Sequence, residues 1–431
     1  MADIVVIGGG AAGMAAALFA ARAGASVLLL EKNEKLGKKV YITGKGRCNL
    51  TNDCDTDEFM AQVPRNPRFL YSALNYFSPQ DMMSLLESAG CPVQVQRGRR
   101  VFPVSEKASD VTRALQSCLR NAGVTVRLGA GVQSLESEGG RLSGVRLEDG
   151  SLVPAKAVIV CTGGISYPST GSTGDGYRFA EEAGHTVVPR SPVLVGLETE
   201  EAWPRMLQGL SLRNVTLTLS RKGKTLYSEL GEMLFTHFGI SGPIVLEASC
   251  HLPEPPAGAS LEIDLKPGLT AEQLDARILR DFSAAGKKLL RNELTSLLPS
   301  RLADLFPQLC GIPAALPCSQ VTAVQRQRLV SVLKALPLTV RAPRPVEEAI
   351  VTRGGVSVRE LEPGTMRSKL VPNLFFAGEV IDVDAHTGGY NLQIAGPPAP
   401  LPAPVPRSRS CPDIVSRRHA GLITFHPPEV P

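Results

Sequence analysis

The sequence predicts an α/β protein: a parallel sheet covered by helices, built from two separated segments with a β-rich piece and a helical piece inserted between them. Three observations carry this. The first thirty residues run strand, turn, helix, strand. Near Pro189 the chain changes to short alternating segments, and from about 269 to Leu-rich helical spacing. Sequence of the first kind resumes at about Thr352. With 431 residues, 43% hydrophobic and 20% charged, the chain can bury several cores, and disorder throughout is excluded.

In order, Ile4-Val5-Val6-Ile7 is a short apolar strand that stops at Gly8-Gly9-Gly10. Residues 11–23 are Ala-rich and favour helix, Gly24 ends it, and residues 26–30 form a second strand. Residues 81–89 and 108–121 are expected as helices. Residues 124–128, 131–136, 141–147 and 157–160 are expected as strands, with a turn at Glu148-Asp149-Gly150. Alternation at 215–219 and 261–265 marks the β-rich piece. Leu289, Leu290, Leu294, Leu297, Leu298 and Leu302 mark the helical one. The expected division is 1–190, 191–267, 268–345 and 346–395, then a tail at 396–431. That tail holds ten of the 34 prolines, and its polyproline-like run at 397–406 cannot form a helix.

Gly8-x-Gly10-x-x-Gly13 follows a strand and opens a helix, and Glu31 closes the next strand. In that setting the spacing is a dinucleotide fingerprint of a Rossmann-like fold. Gly8 permits the turn, Gly10 lets backbone approach a pyrophosphate, Gly13 lets helix and strand pack, and Glu31 can accept from ribose hydroxyls. Lys32 is a weak candidate for a 2′-phosphate. Two further strands end in Thr162-Gly163-Gly164 and in Gly378-Glu379. Three strand ends converging on one ligand point to FAD, with Glu379 able to accept from a ribityl hydroxyl. The alternative at each position is a glycine turn without a ligand.

The run from Gly37 to Asn52 (GKKVYITGKGRCNLTN) resembles the signature of the BaiN/YhiN-like FAD-dependent oxidoreductases, some of them described as aminoacetone-oxidase-like. RRVFPVS at 99–105, GGISYPSTGSTGDG at 163–176, FTHFGISGP at 235–243 and GEVIDVDAHTGGYNLQ at 378–393 extend the resemblance over about residues 3–395. It implies a two-segment, Rossmann-like FAD-binding domain with an inserted β-rich subdomain and a small helical one. It also implies a reductase that uses NAD(P)H, bound transiently, to saturate double bonds conjugated to a ketone in small or steroid-like, bile-acid-type substrates. Motif and resemblance together give a cofactor set of Gly8, Gly10, Ala12, Gly13, Glu31, Lys32, Lys38, Thr43, Gly44, Gly46, Arg47, Cys48, Asn49, Val132, Thr162, Gly163, Gly164, Gly378, Glu379, Gly388, Gly389, Asn391 and Leu392.

His386, His237 and Tyr167 fall in signature segments and could donate a proton to a reduced bond; Arg47 stands beside the flavin-edge loop. For each, packing or substrate orientation is the competing explanation. Cys48 beside Arg47 could be a redox thiol, but no CxxC partner exists, and a packed small residue explains it better. Gly388-Gly389 should open a helix toward the flavin. Arg97, Arg99 and Arg100 could attract an anionic substrate or simply form a solvated turn.

The remaining expectations concern context. Nine Cys without a CxxC read as reduced thiols in a cytoplasmic protein with no metal. No uncharged apolar run reaches the ~20 residues of a membrane span, and no basic leader flank is present. A net charge of +5 is too weak to predict nucleic-acid binding. An amine or aminoketone oxidase on the same scaffold, a tRNA-modifying flavoprotein and a non-catalytic remnant are the competing functions. The tail departs from the family, which continues the helix after Gln393. A shifted reading frame explains it best, and a PxxP partner motif is the alternative.

Overall fold

The structure, a computed structural model, describes residues 2–396. Gly396 apart, the Pro-rich tail lies outside the described residues.

Five parallel strands run in the order Thr125–Leu128, Val27–Glu31, Ala2–Ile7, Leu152–Val160, Leu374–Phe376. The hairpin of Val132–Glu138 and Arg141–Leu147 pairs antiparallel with the start of Leu152–Val160. Ile4 and Val6 face a core that includes the helices Ala11–Arg22 and Ala108–Asn121. Val5 and Ile7 face the opposite core with Val158, Val160 and Phe376. Burial on both faces explains why this strand reads as an unbroken apolar run. The helix Pro79–Ser88 starts at a Ser78/Asp81 capping box with proline in its first turn.

The chain leaves this domain along Val187–Val193 and returns along Val351–Val356, and the two strands pair antiparallel. A side chain at Gly354 would strike Pro189 O at 2.3 Å, so the ribbon needs a glycine there. This pairing ties exit to re-entry and lets two distant segments form one sheet domain.

Between them lies a closed barrel in the order Leu197–Thr199, Gly239–Ser241, Lys224–Phe235, Ser211–Arg221, Ser260–Asp264, Leu336–Pro343. Its last strand falls in the stretch read as helical, so the helices end at Lys334 and the chain then closes the barrel. The helices Ala271–Ala285, Ser300–Leu309 and Ala323–Lys334 share one hydrophobic core with the barrel: Leu274, Ile278, Leu329 and Leu333 join Leu217, Leu261, Ile263 and Leu338. Capping boxes at Thr270/Gln273 and Thr322/Gln325 start two of them. The Leu periodicity and the β alternation are therefore two sides of a single interior. No helix among the described residues is long and apolar enough to cross a membrane.

Candidate functional site

Adjacent strands bring their C-terminal ends together, and each end carries glycines. Gly8 has φ of 100°, and a Cβ there would lie 2.6 Å from Cys161 O. A Cβ on Gly13 would lie 1.7 Å from Gly8 O, so strand and helix touch through backbone. At Gly10, the N-cap of Ala11–Arg22, a Cβ would meet nothing within 4 Å. Two glycines are thus needed for packing, while the third keeps space free at a helix N-terminus. Ala12 is buried behind the turn, and a Cβ on Gly378 would lie 2.6 Å from the Ala12 methyl. Gly163 and Gly378 hold φ of 73° and 79°.

Glu31 ends its strand nearly buried, at 7% exposure. One carboxylate oxygen accepts from Gly9 N at 2.6 Å and the other from Asn33 N at 2.8 Å. The acid is therefore fixed beside the glycine turn. Lys32 is paired with Asp175 at 2.7 Å, and Lys38 with Glu34 at 3.1 Å. Both lysines are thus held by acids of their own surroundings.

Gly44, Lys45, Gly46 and Cys48 all have positive φ, so the loop turns sharply and repeatedly. Thr43 Oγ1 donates to Val40 O. Cys48 is fully buried, and burial pushes its thiol up to about 12, so it is a packed residue here and not a thiolate. Arg47 turns away along the surface, donating to Glu106 at 3.2 Å and lying 4.3 Å over the Phe102 ring. Asn49 Oδ1, Thr51 Oγ1 and Thr162 Oγ1 are buried without a hydrogen-bond partner. Buried polar atoms are nearly always paired. Thr162 Oγ1 lies against Gly176, where a Cβ would come within 2.2 Å of it, while the open space at Gly10 and the fixed Glu31 fit a bound dinucleotide. Val132 is buried in the hairpin strand, and Leu392 packs against the core of the first helix.

Glu379 follows the last strand of the sheet and gathers three neighbours. It accepts from Lys39 Nζ at 2.7 Å, Ser166 Oγ at 3.0 Å and Thr352 N at 2.9 Å. A Cβ on Gly164 would lie 3.0 Å from its carboxylate. Sequence reasoning picked Lys38 and missed Lys39 and Ser166. The available signal was that the second lysine of the pair sits about 100° further round the helix Lys38–Ile42, toward the interior.

At the barrel–sheet junction a second arrangement forms around His386. The turn at 385–391 is clamped by Asn391, which accepts from Ala385 N at 2.9 Å and donates to Ala385 O at 2.6 Å. Gly388 and Gly389 have φ of 134° and 102°, and a Cβ on Gly389 would strike Thr51 O at 2.3 Å. The helix that follows, Tyr390–Ile394, has five residues, so it supplies only a weak dipole. His386 Nδ1 contacts Glu247 on the helix Pro243–Ser249. The His386 ring stacks on His251 at 5.2 Å, and His251 stacks on Tyr227 at 5.2 Å. Burial acts to raise the Glu247 carboxyl, but hydrogen bonds from His386 and Thr387 outweigh it and hold the group below its ordinary value. Burial lowers His251, with the His386 charge adding to the effect. Tyr227, Glu229, Glu247, His251 and His386 border a cavity of about 450 Å³, open to solvent. Glu247 was missed; its signal is a carboxylate inside the otherwise apolar run Pro-Ile-Val-Leu-Glu-Ala-Ser.

His237 and Tyr167 do not join His386. His237 is exposed and packs edge-on to Phe238, whose ring lies under Arg344 at 4.7 Å. Tyr167 has φ of 51°, and its N–H donates to Glu347 O. Both flank the turn at 344–348, apart from the cavity. The basic loop at 97–100 does reach the His386 turn: Asn52 Nδ2 donates to both Gly98 O and Gly388 O. Arg97 and Arg100 are exposed and have no acidic partner among the described residues.

The glycine cradle, parallel sheet and fixed acid define a Rossmann-type dinucleotide-binding enzyme of the oxidoreductase class. Residues 2–397 match the HI0933-like protein Rossmann domain, and the chain belongs to that family. It is 32% identical to the 3-dehydro-bile acid delta(4,6)-reductase of Clostridium scindens, over 92% of this chain and 96% of that protein. It is 33% identical to the ribosomal RNA dihydrouridine synthases of Escherichia coli and Haemophilus influenzae, in each case over 91% of this chain and 95% of the relative.

Proposed function

We propose that this protein is a FAD-dependent reductase that takes electrons from NAD(P)H and saturates a carbon–carbon double bond conjugated to a carbonyl. The observation that carries the reading is the pairing of two sites: a cradle fitted to a dinucleotide, and an imidazole–carboxylate pair bordering an open cavity at the Gly388–Gly389 turn. The relatives' names support the chemistry. A 3-dehydro bile acid carries a ketone at C3, to which delta(4,6) double bonds are conjugated, and uridine carries a double bond conjugated to an amide carbonyl. Turning either into its dihydro form adds two hydrogens across the same kind of bond.

Bound FAD would supply hydride chemistry at the cavity. Gly8, Gly10, Gly13 and Glu31 would hold the dinucleotide's phosphates and ribose, and Glu379 its ribityl hydroxyls. The buried Asn49 Oδ1, which lacks a partner, would accept a hydrogen bond from the cofactor. His386 is the proton donor of this reading, because it alone of the three proposed donors borders the cavity.

The substrate is proposed to be a small enone of the bile-acid type. A second reading, a uracil base in ribosomal RNA, is favoured by two observations. The cavity lining offers polar groups from Gln62, Ser228, Glu229, His251 and Thr387 beside the apolar Ala61, Pro243 and Ile244. The loop next to it also exposes Arg97 and Arg100, which suits a phosphate backbone. Anaerobic mixing with NADH or NADPH, followed by a Δ4-3-ketosteroid or a uridine-containing ribosomal RNA fragment, tests both. Flavin bleaching by the nicotinamide and recovery by one substrate supports the reading and names the substrate. Bleaching by an amine, with no response to nicotinamide, replaces it with an oxidase.

A further inference from the structure

We infer that Glu247, carried by the inserted barrel, is the positioning residue for His386, so that the proton donor is completed only where the barrel meets the Rossmann domain. The inference rests on the reductase reading for its chemistry and on geometry for the pair itself.

Glu247 splits its two oxygens between neighbours. One contacts His386 Nδ1. The other accepts from Thr387 N at 3.2 Å and Thr387 Oγ1 at 3.0 Å. The side chain is 15% exposed, and that of His386 is 14% exposed. The His386 backbone is pinned from both sides: its N–H donates to Gln62 O at 3.0 Å, and its carbonyl accepts from Asn391 Nδ2 at 3.3 Å. Ring orientation is thus fixed by the stack on His251 and by the carboxylate. With Nδ1 turned onto the Glu247 carboxylate, Nε2 is the ring nitrogen left for the cavity that His386 borders. A carboxylate behind an imidazole selects its tautomer and stabilises its charged form.

The charges around the pair leave Glu247 as the controlling one. Arg353, from the returning sheet segment, is neutralised by Asp384 through bonds at 3.1 and 2.8 Å. Cys250, on the turn after the same helix, is pushed up to about 12 by burial and carries no charge. His251 is lowered by burial, so it stays neutral at neutral pH. Tyr227 is raised, chiefly by burial, and Glu229 beyond it is exposed to solvent.

The step balances. A hydride, originating in the nicotinamide donor, adds to the carbon β to the carbonyl. A proton from His386 Nε2 adds to the α carbon, and the carbon–carbon π bond is lost. Neutral His386 keeps Nδ1–H on Glu247 and regains its proton from water in the open cavity.

Two measurements test this. In the flavin-loaded protein, at a pH where His386 is neutral, ¹⁵N NMR of the labelled ring should show its one proton on Nδ1, and Glu247→Gln and Glu247→Ala should lose that preference; a neutral Nε2–H tautomer in the parent protein overturns the inference. Glu247→Gln should keep flavin content and the rate of flavin bleaching by NADPH. Its reoxidation by a Δ4-3-ketosteroid should slow about 100-fold in kcat with little change in KM, with the alkaline limb of the rate profile moved to lower pH. Retention of kcat within twofold and an unmoved profile overturn the positioning role. If the parent protein oxidises no nicotinamide, the reductase reading fails, while the NMR result still decides whether Glu247 orients His386.

Discussion

Lys39 and Glu379 stand 340 positions apart and meet at 2.7 Å, joining the first segment of the sheet domain to the last. The side chains are 23% and 21% exposed, so the pair is shielded enough to matter but not desolvated. Glu379 also holds Ser166 and Thr352, so one carboxylate ties the last sheet strand to a helix, to the loop after Leu152–Val160 and to the returning strand Val351–Val356. Glu379→Ala should cost about 1–2 kcal/mol of stability and lower the flavin bound per chain. Glu379→Gln, which still accepts from Thr352 N, should cost less. Urea unfolding of the apoprotein and the visible absorbance of the purified protein check the two effects separately.

The glycines separate folding from cofactor binding. A methyl at Gly13 would overlap Gly8 O, whereas one at Gly10 would enter empty space at an ordinary φ of −75°. Gly13→Ala should therefore lower the thermal midpoint of the apoprotein by several degrees, as backbone packing gives way. Gly10→Ala should fold like the parent yet lose most of its flavin, because the methyl occupies the pyrophosphate's place. Thermal scans with and without FAD distinguish these outcomes. Equal flavin retention in Gly10→Ala would remove the cradle from the binding role.

Local signals were legible where one element decides its own structure. The strand at 4–7, the glycine turn and the Ala-rich helix follow from nearest neighbours, and they stand where the sequence puts them. Long-range partnerships were not legible. Nothing near Lys39 announces Glu379, and nothing near His386 announces Glu247, because those contacts exist only once the sheet and barrel have closed. Arg47 illustrates the converse. Its neighbours suggest a flavin contact, but Phe102 and Glu106, brought back by the strand Arg100–Pro103 and the loop after it, hold it elsewhere. The strand Leu336–Pro343 was hidden for a similar reason: its alternation follows directly on Leu-rich helix, and only barrel closure gives it a partner.

Arg353 and Asp384 form the most enclosed ion pair at the junction, with Asp384 at 0% exposure. Arg353 also donates to Cys250 O at 3.2 Å, fastening the barrel-side helix to the sheet domain. Arg353→Met leaves a buried carboxylate without its cation, a change that costs about 3 kcal/mol or more. Adding Asp384→Asn should recover part of that loss, since the residual penalty is a neutral amide's. A urea-denaturation double-mutant cycle measures the recovery. Simple additivity of the two substitutions would mean the pair is not coupled.

His185 makes the fold less stable in acid. Its side chain is fully enclosed, bonded to Ser368 at 2.7 Å and to Glu360 at 3.1 Å, and packed edge-on to Phe376. Burial lowers it below its ordinary value of 6.5, with Glu360 opposing but not cancelling the effect. A histidine lowered in the folded state stabilises the fold fully above the unfolded value. That contribution is lost as pH falls toward the folded value, because the unfolded chain takes up the proton first. The thermal midpoint should therefore fall as pH drops from about 7 to 5. His185→Gln should flatten this slope while lowering the midpoint at pH 7, where its hydrogen bonds are imperfectly replaced. Some slope should remain from His251, which burial lowers in the same direction. A midpoint that rises on acidification over this range would mean that the Glu360 pairing outweighs burial and that His185 is charged in the folded protein.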